Sequence, residues 1–300
     1  MQHESLAARI GRVGVWHGGL GRVPAAVARR AAAEIEQLGY GALWFAETPV
    51  NESMSQAALL LAATERITVA TGIANIWVRD ASAAHAGARA LAEAYDGRFL
   101  LGLGASHAPL VGARGHDYAK PLAAMRAYLD AMDEAPDDGP TAAAAPGRVL
   151  AALGPKMLEL ARDRTAGAHP YFVTPEHTAR AREILGAGPL LAPEQAVLLE
   201  SDPATARALA RAHHTRFYLQ LPNYTGNLRR LGFGDEDFAD GGSDRLVDAI
   251  VAWGDVDAVR RRVQEHHDAG ADHVALQPLA ADGGLGIEQL RELAPVLLES

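Results

Sequence analysis

The stretch Pro24–Glu47, PAAVARRAAAEIEQLGYGALWFAE, decides the fold. Pro24 to Leu38 reads as helix, with Pro24 in the first turn, where its missing N–H goes unneeded. Gly39 stands where a left-handed C-terminal cap belongs. Ala42-Leu43-Trp44-Phe45 then reads as a buried strand that ends at Ala46-Glu47-Thr48. A helix, a glycine cap and a short buried strand form one unit of a parallel sheet, because parallel neighbours need a crossover helix.

The same alternation runs outward in both directions. Arg12–Trp16 is a strand before this helix. After it come a helix over 53–63, a strand over 67–73, a helix over 82–95 and the strand Phe99–Gly104. A helix over 121–132, the strand Val149–Ala152 and a helix from Pro155 to Asp163 follow. Ala168–Phe172 is the sixth strand, and Thr174 with Pro175 caps and opens the next helix. Glu194–Leu199 and His273–Gln277 are the seventh and eighth strands, and 287–298 is the last helix. Residues 202–267 are too many for one crossover and must hold several helices. Eight strands with helices between them predict a single-domain α/β chain over 1–300, a TIM (β/α)8 barrel with a long helical insertion before the eighth strand. An open doubly wound sheet is the alternative, but no GxGxxG opens the first unit. Glu134–Gly147, EAPDDGPTAAAAPG, breaks both periodicities and reads as loop.

Of the 300 residues, 49% are apolar and 22% charged, which excludes wholesale disorder. No apolar run reaches the roughly 18 residues of a membrane span. Met1-Gln2-His3-Glu4 lacks the basic and apolar regions of a signal peptide, so a cytoplasmic location is expected. A net charge of −9 opposes binding to a nucleic-acid backbone. The absence of cysteine removes thiolate nucleophiles and zinc–thiolate sites. Lys120 and Lys156 are the two lysines, and the many arginines and alanines look like codon bias.

A barrel of this kind works at the C-terminal ends of its strands. Those ends supply Trp16-His17, Glu47, the segment around Gly72 to Trp77, Gly104-Ala105-Ser106-His107, Leu153-Gly154-Pro155, Tyr171-Phe172 and Gln277-Pro278. The expected mouth is aromatic and apolar, with His17, Glu47 and His107 as its ionisable groups and no metal cage. It suits a flat aromatic ligand. Trp16 and Trp44 also read as core, Glu47 as an arginine partner or helix cap, and Ser106-His107 as a turn. His213-His214 and His266-His267 lie in helical stretches where adjacent side chains face apart. Arg260-Arg261-Arg262 reads as a solvated helix face. At Gly154-Pro155-Lys156, backbone can approach a ligand and a helix N-terminus favours an anion, against a surface lysine as the plain reading.

From about residue 10 to 298 the chain resembles the bacterial luciferase-like family of flavin and deazaflavin oxidoreductases, and within it the actinobacterial branch using coenzyme F-420 (8-hydroxy-5-deazaflavin). The likeness rests on Gly39–Glu47, Arg66–Ile73 (RITVATGI), Asp96–Gly104 (DGRFLLGLG), Ser106-His107-Ala108-Pro109 and Ala269–Val274 (AGADHV), in that order and spacing. The resemblance implies a TIM barrel, a homodimer, and Glu47 beside the deazaflavin ring. It implies a strand-three bulge with a cis peptide at Gly72-Ile73 against one ring face, and Asn75 meeting the cofactor. Gly104, Ser106 and His107 would follow at the fourth strand, and Gly154-Pro155-Lys156 would receive the phosphate and tail. His107 stands where sugar-phosphate dehydrogenase relatives carry a catalytic Glu, so a sugar phosphate is not the expected substrate. A hairpin that many members carry before the fifth strand is replaced by the Glu134–Gly147 tract.

The expected reaction is hydride transfer between a substrate carbon and the deazaflavin, with one proton moved by His107 or, second, by His17. FMN with oxygen is the alternative. The longer F-420 tail would need a basic groove, for which Arg79, Arg114, Arg229 and Arg230 are candidates. A metal-dependent hydrolase lacks its His-x-His at Trp16-His17-Gly18, and a non-catalytic cofactor-binding barrel is the remaining rival. The apolar mouth and Tyr218–Tyr224 (YLQLPNY) point to a small uncharged organic substrate.

Overall fold

The computed structural model describes residues 5–136, 138–140, 147–280 and 283–298. The chain start and much of the Glu134–Gly147 tract lie outside the described residues. Eleven strand segments form one parallel sheet. They are β1 Val13–His17, β2 Ala42–Phe45, β3 Thr68–Thr71, β4 Ala74–Asn75, β5 Phe99–Gly104, β6 Gly147–Leu150, β7 Gly167–Ala168, β8 Leu190–Leu191, β9 Glu194–Leu199, β10 Val251–Gly254 and β11 Val274–Pro278.

Two pairs of these segments are consecutive pieces of one stave. β3 and β4 both lie against β5, separated by the bend at Gly72-Ile73. β8 pairs with β7, and two residues later β9 pairs with β11. Because β11 pairs with β1, the ring closes through residues 190–199 into the eight-stave (β/α) barrel. β10 stands outside the ring, paired with β9 from the insertion. It is a strand that the sequence reading missed among the helices of 202–267.

Side chains alternate between two layers, as the period of a strand requires. Val13, Val15, Leu43, Phe45, Val69, Leu101, Val197 and Leu276 pack outward against the helices. Trp16, Ala42, Trp44, Ala70, Leu100, Val149, Ala196 and Ala275 point inward and fill the barrel. Trp44 anchors the interior: its ring stacks on His169 at 4.3 Å, and its indole N–H donates to His273 Nε2 at 3.1 Å.

Three local readings need correction. Pro24 is the N-cap, so that helix begins at Ala25; Gly39 follows it at φ +96°. The sixth strand ends at Ala168, because Pro170 brings no N–H to the ladder and Phe172 sits at φ +59°. Arg262 is not solvated; it donates to the carbonyls of Ala249 and Asp248 at 2.8 and 2.9 Å. Among the described residues, no helix is long and apolar enough to cross a membrane.

Candidate active site

The strand ends converge on one mouth, and strand parity decides which side chains reach it. On β1, Trp16 points inward and His17, its neighbour, sits on the outward parity. The Gly19 N–H donates to His17 Nδ1 at 2.9 Å. The ring proton is therefore on Nε2, which donates to the Leu285 carbonyl at 2.8 Å. Burial lowers the His17 pKa, opposed in part by the Leu285 bond. A neutral ring with both nitrogens engaged joins the two loops and leaves no atom for proton exchange with a substrate.

Glu47 follows β2 and is fully committed. Its Oε1 accepts from the Ser53 N–H at 3.0 Å, and its Oε2 accepts from the Asn75 N–H at 2.7 Å. Arg79 clasps both oxygens, Nη1 reaching Oε2 at 3.2 Å, and also reaches Glu52 at 2.6 Å. The Glu47 side chain is 1% exposed. Arginine pairing and helix capping are thus both realised, and Glu47 fixes the backbone of Asn75 from behind. Asn75 is buried, its Oδ1 accepting from the Trp77 N–H at 3.1 Å.

The bend between β3 and β4 contains the cis peptide Gly72-Ile73 expected from the resemblance. The Trp16 indole N–H donates to the Gly72 carbonyl at 3.0 Å. Ile73 is half-buried and lies across Gly104, where an added Cβ would come within 2.5 Å of Ile73 Cγ1. Gly104 therefore earns its place by letting Ile73 lie flat on β5.

After β5, Ser106 takes φ +59°, and its carbonyl accepts from the Tyr118 hydroxyl at 3.1 Å. His107 is half-buried under Tyr224, with ring centroids 5.4 Å apart. Burial lowers its pKa, and a hydrogen bond with the Asn223 side chain opposes the shift. Its Nδ1 is buried with no partner among the described residues. Of the two histidines, His107 is the one with a nitrogen to spare.

On the far side of the mouth, Gly154 caps the helix Pro155–Arg164 with no side-chain capping bond. Pro155 and Lys156 are exposed. The space beside Gly154 is open: the nearest atom to an added Cβ would be Arg230 Nη2, at 3.9 Å. Arg180 donates to the Arg230 carbonyl at 2.6 Å, which brings a second guanidinium alongside. Pro155 has no N–H, and the Met157 and Leu158 N–H groups donate to the Gly154 carbonyl at 3.1 Å, so the Lys156 N–H together with the Lys156, Arg180 and Arg230 side chains makes an anion-accepting corner. Of the other arginines expected there, Arg79 is bound to Glu47 and Glu52, and Arg229 pairs with Asp235 at 2.5 Å.

The insertion supplies a roof. Tyr218 and Tyr224 pack on Phe172 at 5.2 and 5.4 Å and on Tyr171 at 5.0 and 6.2 Å. The Tyr171 hydroxyl lies 2.8 Å from that of Tyr218 and 2.7 Å from Gln277 Oε1. One ionisable residue here escaped the sequence reading as a site residue, and a second was read only as half of an adjacent helical pair. Glu194 opens β9 on the inward parity, and burial pushes its pKa up to about 8 against the Phe172 N–H bond. His214 lies in a short π-helical turn, Arg211–Thr215, wholly buried beneath Tyr218. Among the described residues, no group of three His, Asp or Glu is placed to hold a metal.

Residues 11–273 match the model of the luciferase-like monooxygenase family. A Mycobacterium tuberculosis protein that carries the name of a coenzyme F-420-dependent oxidoreductase is 25% identical, over 88% of this chain and 92% of its own. Among solved structures, an F-420-dependent secondary alcohol dehydrogenase superposes with a TM-score of 0.76 at 14% identity, covering 95% of this chain and 98% of its own. The oxygenating constituent of 3,6-diketocamphane monooxygenase from Pseudomonas putida, solved with FMN, gives 0.71 at 15% identity, covering 95% and 98%. At these identities the superpositions speak for the barrel fold. With most of its length matched by the family model, the chain belongs to the luciferase-like monooxygenase family and is an oxidoreductase.

Proposed function

We propose that the protein binds the deazaflavin coenzyme F-420 across the barrel mouth and exchanges a hydride with a small uncharged organic substrate. The observation that carries this reading is the pairing of an apolar wall with an anion corner. Ile73 lies half-exposed on one side, and the open face of Gly154 lies beside Arg230 on the other. A planar tricycle with a phosphate tail needs both. The residues present fit such a group: Gly72, Ile73, Asn75, Gly104 and Ser106 would border the ring, and Gly154, Pro155 and Lys156 the phosphate.

When bound, the deazaflavin supplies a carbon that gives or takes a hydride. The chain's own part is to hold that carbon near the substrate, exclude water and move one proton. His107, lowered in pKa and with Nδ1 unpartnered, is neutral near pH 7 and serves as the proton acceptor. The roof of Tyr218 and Tyr224 keeps the mouth dry.

A second reading has its own support. With Arg79 and Arg229 tied to carboxylates, the groove beyond the phosphate corner is less basic than a polyglutamate tail would favour. That arrangement suits the short tail of FMN and oxygen chemistry. Titrating the purified protein with coenzyme F-420 and with FMN, followed by fluorescence, separates the two. Binding of F-420 alone supports hydride transfer, binding of FMN alone moves the site to monooxygenation, and binding of neither removes both.

A further inference from the structure

We propose that Gln277 binds the substrate: its carboxamide amino group donates to the oxygen of a small uncharged carbonyl compound, and Tyr171 and Tyr218 hold the amide in that orientation. Gln277 lies near the mouth end of β11, on the inward face it shares with Ala275. Leu276 is the Cα partner of Val15 on β1, so Gln277 follows alongside Trp16. Trp16 in turn packs on Tyr171 at 4.9 Å and donates to the Gly72 carbonyl at 3.0 Å. One indole therefore connects this amide to the bend that carries Ile73. Ala275 has no exposed surface, whereas Gln277 is only half-buried, as are Ile73, His107 and Leu153. These four positions are where solvent, and so a ligand, reaches the mouth.

Donor and acceptor counting fixes which way the amide faces. Gln277 Oε1 carries no hydrogen, so the 2.7 Å contact with Tyr171 uses the proton of the Tyr171 hydroxyl. The 2.8 Å contact between the two hydroxyls then uses the proton of Tyr218. The reverse polarity would leave the Tyr218 proton with no acceptor among the described residues. Burial raises the pKa of Tyr171 well above its ordinary value and that of Tyr218 to about 12, so both stay protonated near neutrality. Each donor in such a chain polarises the next, which strengthens the N–H dipoles at its open end. A planar amide held by its oxygen turns its amino group the other way. That group has no partner among the described residues, and it is open to solvent rather than enclosed.

The chemistry of the amide selects the ligand. Amide N–H donors without a counter-charge suit an oxygen that only accepts. A carbonyl oxygen is such a group, and the Trp16 and Tyr171 rings offer apolar surface to its carbon skeleton. A carboxylate would be left with its charge uncompensated. That the carbonyl compound is the substrate rests on the proposed hydride-transfer reading; the capture of its oxygen by Gln277 does not.

The test uses the full chain and cyclohexanone as probe, with methylenecyclohexane as a control of the same shape that accepts no conventional hydrogen bond. Gln277→Met keeps the side-chain length and loses the donors. It should weaken cyclohexanone roughly tenfold, the loss expected from one hydrogen bond, and leave methylenecyclohexane unchanged. The infrared C=O stretch of bound cyclohexanone should move to higher wavenumber in Gln277→Met. Tyr171→Phe should weaken cyclohexanone several-fold in the wild-type background and not at all in Gln277→Met, because that hydroxyl acts through the amide. Equal losses of the two probes in Gln277→Met, or a C=O band that stays in place, would reduce Gln277 to roof packing and overturn the proposal. So would a wild type that binds no cyclohexanone with or without coenzyme F-420. The same preparations titrated with F-420 keep the two readings apart. Gln277-dependent cyclohexanone binding without F-420 binding retains the inference and sinks the deazaflavin reading. F-420 binding that is lost in Gln277→Met would make the amide a cofactor ligand and overturn the inference alone.

Discussion

The Trp16 indole N–H donates to the Gly72 carbonyl at 3.0 Å, tying the first strand to the bend after the third. The indole body packs on Tyr171, centroids 4.9 Å apart, so one side chain links the bend to the roof. Trp16→Phe keeps the aromatic packing and leaves a buried carbonyl unpaired. It should lower stability by about 1–3 kcal/mol. A urea unfolding midpoint that does not move would show that the carbonyl finds water instead.

Glu47 and Arg79 make a buried pair whose carboxylate also holds two backbone N–H groups. Glu47→Ala strands the guanidinium and both donors, and should cost about 3–5 kcal/mol. Glu47→Gln, which keeps the shape and one acceptor, should cost less. Comparable unfolding midpoints for Glu47→Ala and wild type would argue that Arg79 escapes to Glu52 at no loss.

Two glycines on β5 should answer differently to the same added methyl. At Gly104 the Cβ meets the flexible end of Ile73, at 2.5 and 2.6 Å; at Gly102 it meets the Thr71 carbonyl at 2.0 Å. Gly104→Ala should leave stability nearly unchanged, push Ile73 into the mouth and weaken cofactor binding. Gly102→Ala overpacks against backbone and should cost at least about 1–3 kcal/mol. Melting curves and cofactor titrations of the two variants decide it.

The pH dependence of stability should have two opposing limbs. Burial holds His169, His177 and His273 at a pKa of about 4 and His214 and His266 at about 3. Unfolded, these rings bind protons near 6.5, so the unfolded chain gains protons first and stability falls as pH drops below that value. Each such proton contributes about 1.4 kcal/mol per pH unit in that window. Glu194 acts in reverse. Its folded pKa is raised to about 8 from the ordinary 4.5, so its stabilisation is complete below the lower value and lost as pH rises through the upper one. Urea unfolding at about pH 5, 7 and 9 should therefore peak near neutrality, and Glu194→Gln should remove the decline between pH 7 and 9 while making the fall toward pH 5 steeper. An unchanged alkaline limb would mean that Glu194 titrates normally.

The barrel was legible because apolar runs, glycine caps and helical stretches alternate, and each stave reads as a buried strand. What escaped was decided by contacts distant in sequence. Val251–Gly254 has no turn signals of its own and becomes a strand because β9 offers it an edge. His17 reads as a mouth residue until strand parity turns it outward beside Val13 and Val15. Glu194 carried a signal that strict alternation along Glu194–Leu199 would have revealed, since it shares the inward face with Ala196 and Leu198. His214 carried none, because burial of a helical histidine depends on how the insertion folds over the mouth.

The proposed deazaflavin site is the mouth between Ile73 and Gly154. Its most direct test is the crystal structure of the protein grown with coenzyme F-420. The ring should lie against Ile73, which Gly104 supports from beneath, with the phosphate at the Lys156 N–H beside Arg230. A cofactor bound anywhere else, or crystals that exclude F-420 and admit FMN at the same mouth, would contradict it.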